Sequence, residues 1–98
     1  MDKQSENIQA KEYIDALQLV EDCEKKSSSG STQFEGYKVH AADHALTQNG
    51  FKRARDDEGC HTENINMLCY RKAGWRAEIT TGNFLGSFTQ VDIFCEFP

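Results

Sequence analysis

Ninety-eight residues, 38% of them hydrophobic and ten aromatic, make one folded domain spanning 1–98. That length buries about two thirds of the unfolded surface without needing a metal or disulfide. A formal net charge of -5 opposes unspecific attraction to a phosphate backbone, which leaves nucleic acid a poor partner and another protein, even one within a nucleic-acid-binding complex, a better one.

No apolar run approaches the roughly 18 residues of a membrane helix, and the opening MDKQSENIQ lacks the basic and apolar regions of an export signal. The expectation is a cytoplasmic protein with no membrane partner, whose four cysteines, Cys23, Cys60, Cys69 and Cys95, are reduced thiols. A mean hydropathy of -0.70 implies a modest core under a wet, charged surface.

Residues 1–4 are polar and read as a frayed end. From Ser5 to Lys26 the pattern is helical: Ala10, Tyr13, Ile14, Leu17 and Val20 recur at spacings of three and four, Ser5 suits the N-cap, and Lys25 and Lys26 suit the negative end of the helix dipole. Residues 27–35, opening on three serines, show no periodicity and read as a flexible connector. A second helix follows over Val39–Gln48, with Val39, Ala42 and Leu46 on one face and Asn49-Gly50 as its stop.

Phe51–Arg55 reads as a strand, followed by the acidic turn Asp56-Asp57-Glu58-Gly59 and a loop. A hairpin turns at Ala73-Gly74, and a last strand runs from Phe88 to Phe97. The fold class is α+β, with two N-terminal helices packed on one face of a four-stranded, mainly antiparallel sheet. Hairpin register has two readings. A two-residue loop puts Leu68 and Tyr70 on the Trp75 face but sets Arg71 opposite Arg76; a three-residue loop, Lys72-Ala73-Gly74, puts Met67 and Cys69 there instead. Turn chemistry favours the second, because alanine is poorly suited to positive φ.

Three groups of residues carry possible chemistry. His40, His44, Cys60 and His61 are zinc-ligand types, yet they lack the paired Cys-x-x-Cys spacing of a metal motif, so no cofactor is expected. Cys60 beside His61 suggests a nucleophile, but Asp56, Asp57, Glu58 and Glu63 disfavour its thiolate. Six of the eleven basic residues, Lys52, Arg53, Arg55, Arg71, Lys72 and Arg76, gather on the first strand and at the hairpin turn, interleaved with Phe51, Tyr70 and Trp75.

The stretch Ala45-Leu46-Thr47-Gln48-Asn49-Gly50-Phe51-Lys52-Arg53-Ala54-Arg55, with Gly59-Cys60-His61 and Tyr70-Arg71-Lys72, resembles the core of HicA-type toxins over about a quarter of the chain. The resemblance implies RNA cleavage on a double-stranded-RNA-binding-like fold, with His61 at the catalytic position and Cys60 where that family has a small hydroxyl residue.

The leading expectation is a non-enzymatic protein that binds another protein and inhibits it, by analogy with the immunity and anti-defence proteins of phages and mobile elements. Its contacts would come from Asp56, Asp57 and Glu58 of the acidic turn and from Arg71, Lys72, Trp75 and Arg76 around the hairpin. The alternatives are the RNA-acting protein and a small zinc-binding protein.

Overall fold

A computed structural model describes residues 10–54, 67–83 and 85–96. In chain order its elements are α1 (Lys11–Lys26), β1 (Gly30–Glu35), α2 (Val39–Gln48), β2 (Lys52–Arg53), β3 (Met67–Lys72), β4 (Trp75–Gly82) and β5 (Phe88–Cys95). Every strand pairing is antiparallel, and the sheet order is β1-β5-β4-β3-β2. The α+β class stands, but the described sheet has five strands. No helix among the described residues is long and apolar enough to cross a membrane.

The additional strand is β1, which lies inside the segment expected to be a connector. Its serines and threonine hide an alternation in which Thr32 is half-buried and Phe34 buried, while Ser31, Gln33 and Glu35 face water. Phe34 at 7% exposure is enough to anchor it to the core. The expected frayed residues 1–4 and the Ser5 cap lie outside the described residues.

Helix α1 ends where Ser27 takes a left-handed conformation, φ 53°, and the N–H groups of Ser27 and Ser28 donate to the carbonyls of Glu24 and Cys23. Its inner face is rotated from the one the spacing suggests. Ala16, Val20 and Cys23 are buried, whereas Ala10 is exposed and Ile14 is 49% exposed. The rotation follows from a close approach to β1: a Cβ on Gly30 would stand 2.8 Å from Cys23 Sγ and 3.0 Å from Leu19 Cδ1. Helix α2 contributes Ala42, Ala45 and Leu46, and the two helices touch through Tyr13 and His44, whose ring centroids are 4.9 Å apart.

One sheet face takes both helices. Phe34, Tyr70, Trp75, Ala77, Ile79, Val91 and Ile93 share it by register and form the core with the helix residues. Thr89 is fully buried among them and bridges two segments: its Oγ1 accepts from Lys38 N at 2.6 Å and donates to Gly36 O at 2.8 Å.

The hairpin uses the two-residue loop. Lys72 pairs with Trp75, Arg71 with Arg76, Tyr70 with Ala77 and Leu68 with Ile79, which corrects the three-residue reading. Both objections to this register are met locally. Among the described residues only Ser27 and Leu85 are non-glycines with positive φ, so Ala73 avoids it and Gly74 alone takes it, at 83°. The Arg71–Arg76 repulsion is relieved by Glu96, which accepts from Arg71 Nη1 at 2.8 Å and Arg76 Nε at 3.0 Å. Tyr70 is therefore core.

The same register turns Cys69 to the face away from the helices, where it is still only 2% exposed. Cys69 is disulfide-bonded, whereas Cys23 and Cys95 are free thiols. The expectation of reduced cysteines throughout is corrected at this position.

Candidate functional site

Four of the basic residues singled out by the sequence, Lys52, Arg53, Arg71 and Lys72, meet at one edge of the described sheet. Strand β2 is only two residues long, with Lys52 opposite Arg71 and Arg53 opposite Tyr70, and Ala54 N donates to Cys69 O at 2.9 Å. Between this strand and the hairpin turn opens a cleft of about 490 Å³, lined by Gly50, Lys52, Arg53, Arg71, Lys72 and Gly74 among others. It exists because the turn after α2, with Gly50 at φ 90°, carries the chain alongside the β3–β4 turn.

Directly opposed residues share a face, so Lys52, Arg71 and Arg76 form a cationic row across β2, β3 and β4 on the helix-free side. Glu96 bonds both arginines. Arg76 also donates to Glu78 at 2.5 Å and lies 4.3 Å from the centre of the Phe94 ring. Positive charge in that row is thus neutralised at its inner end and left open at Lys52.

On the helix side, the Lys72 ammonium is bonded to Glu24 of α1 and stands 5.3 Å from the centre of the Phe51 ring. The Arg53 guanidinium lies 5.9 Å from the Tyr70 ring centre. The Tyr70 hydroxyl donates to Asp43 of α2 at 2.5 Å, and burial, followed by that hydrogen bond, pushes its pKa well above the ordinary tyrosine value. Burial likewise raises the Cys23 thiol.

The predicted site residues therefore separate. Arg71 and Lys72 line the cleft but hold carboxylates already; Arg76 sits one strand further in; Trp75 is 4% exposed and belongs to the core. Lys52 and Arg53 are exposed and have no carboxylate partner among the described residues. Asp56, Asp57, Glu58 and Arg55 lie outside the described residues, as do Cys60 and His61. His40 and His44 are exposed on α2, and no group of three His, Cys, Asp or Glu able to hold a metal occurs among the described residues.

Sequence reasoning did not pair the cations around the cleft with the carboxylates that hold them, Glu24 and Glu96. One signal was available. An acid in the last turn of a helix, as Glu24 is, opposes the helix dipole unless a cation meets it. No family model, curated protein or solved structure matches this chain.

Proposed function

We propose that this protein is a non-enzymatic binding protein whose cleft takes an acidic segment of another protein. The observation that carries the reading is the pair Lys52 and Arg53: two exposed cations without carboxylate partners among the described residues, on a short strand at the edge of the described sheet beside a cleft, in a chain of net charge -5. A short acidic peptide meets this local charge while a long polyanion also meets the acidic remainder of the surface. The inhibitor role is the form this binding takes by analogy of class, with occlusion of the partner's acidic segment as its physical means. The cytoplasmic location was expected from the opening residues, and the Cys69 disulfide favours an oxidising compartment instead.

Fluorescence anisotropy with a labelled oligo-aspartate peptide and with a generic single-stranded RNA tests the reading. The peptide binds, its affinity falls with added salt, and the double variant K52E/R53E weakens it about tenfold. RNA held more tightly than the peptide at every salt concentration, or a peptide affinity unmoved by K52E/R53E, would overturn it.

A further inference from the structure

The free thiols Cys23 and Cys95 belong to elements far apart in the chain, the last turn of α1 and the end of β5. Contacts from several elements bring them to one place. Lys72 pairs with Trp75 and Trp75 with Cys95, so these residues form a cross-strand row on the helix-facing side of the sheet. The last turn of α1 lies over that row. Its Glu24 is bonded to Lys72 at one end, while at the other end Cys23 Sγ sits over β1, where a Cβ on Gly30 would stand 2.8 Å from it. Gly30 pairs with Ile93, and the next residue of β5 on the same face is Cys95.

Hydrogen bonds tie the same segments together. Ser28 N donates to Cys23 O at 3.1 Å, and Cys95 N donates to Oγ of the neighbouring Ser29 at 3.1 Å. Burial first, and among lesser causes the charge of Cys95, raises the Cys23 thiol, so the two sulfurs are near enough to interact. Cys23 is 3% exposed, whereas Cys95 is half-buried and the more accessible of the two.

From this placement we propose that Cys23 and Cys95 are a dithiol that closes to a disulfide, stapling the end of α1 to the end of β5. A small-molecule disulfide, oxidised glutathione, is the oxidant. The Cys95 thiolate attacks one of its sulfurs, breaking the S–S bond and releasing one glutathione thiolate. The Cys23 thiolate then attacks Cys95 Sγ and displaces the second. The protons given up by the two protein thiols end on the two released glutathiones, so the small disulfide is reduced as the dithiol is oxidised. The Cys69 disulfide marks a chain that meets such oxidants. Closing a loop over residues 23–95 narrows the unfolded ensemble. It also joins the neighbours of Glu24 and Glu96, the carboxylates that hold Lys72, Arg71 and Arg76.

Incubation of the whole chain in glutathione buffers of rising oxidised-to-reduced ratio, followed by alkylation and non-reducing peptide mass spectrometry, tests the staple. The wild type yields a peptide pair cross-linked from Cys23 to Cys95 with the Cys69 disulfide unchanged, and its urea midpoint rises on oxidation. Cys23→Ala instead keeps glutathione on Cys95, and its midpoint does not rise. Wild-type protein with both thiols alkylated in the most oxidising buffer would overturn the proposal. So would Cys95 holding glutathione as stably in the wild type as in C23A, or either thiol exchanged into the Cys69 disulfide. Should C23A unfold, Cys95→Ser at the less buried position decides, its urea midpoint being indifferent to the glutathione ratio.

Discussion

At the scale of single residues, charge near the cleft is managed by a few carboxylates. Glu96 holds Arg71 and Arg76 against their mutual repulsion, so Glu96→Gln is expected to destabilise the fold by about 1 kcal/mol, allowing for the partial exposure of all three groups. Urea unfolding at low and high salt checks it: the difference from wild type narrows as salt screens the arginines. Tyr70 gives a pH dependence. Its hydroxyl is held protonated in the fold by burial and by Asp43, so the unfolded chain ionises first as pH rises past the ordinary value of 10.0. That contribution to stability is complete below pH 10.0 and is lost progressively above it. Tyr70→Phe costs about 1–2 kcal/mol at neutral pH through the lost hydrogen bond to a charged acceptor, and its stability falls less steeply in alkali. A variant whose alkaline profile matched the wild type would contradict this account of Tyr70.

At the scale of elements, the packing of α1 on β1 depends on Gly30. A side chain there meets Cys23 Sγ and Leu19 Cδ1, so Gly30→Val should cost about 1–3 kcal/mol by overpacking, read as a lower urea midpoint. Unchanged stability would mean that α1 shifts freely over the strand. Elements with strong periodicity were legible in the sequence: the existence of both helices, the hairpin at Ala73-Gly74 and the alternating last strand all appear in the structure. Strand β1 was illegible because polar edge strands carry the composition of loops, and a single Phe34 is too little pattern to separate the two. Register was misread because turn chemistry was judged on alanine at positive φ, while the decisive partner, Glu96, lies twenty residues beyond Arg76. The cleft was half legible. Its cations cluster in sequence, but which of them are neutralised depends on Glu24 and Glu96, which only the tertiary fold brings in.

At the scale of the whole molecule, the two ends of the sheet order have opposite characters. One edge of the described sheet is short and cationic beside a cleft; the other is longer and nearly uncharged. The first suits the acidic ligand proposed for the cleft. The charge balance gives the first its selectivity, since an extended polyanion must lie against acidic surface once it leaves the cleft.

The most direct measurement of the binding claim is a map of backbone amide shifts in the isotopically labelled protein as the oligo-aspartate peptide is added. The account predicts that the perturbed amides cluster at residues 50–54 and 71–74, that Lys52 and Arg53 are among them, and that K52E/R53E erases the cluster. Shifts concentrated on α1 or on the β4–β5 turn, with residues 50–54 silent, would contradict it.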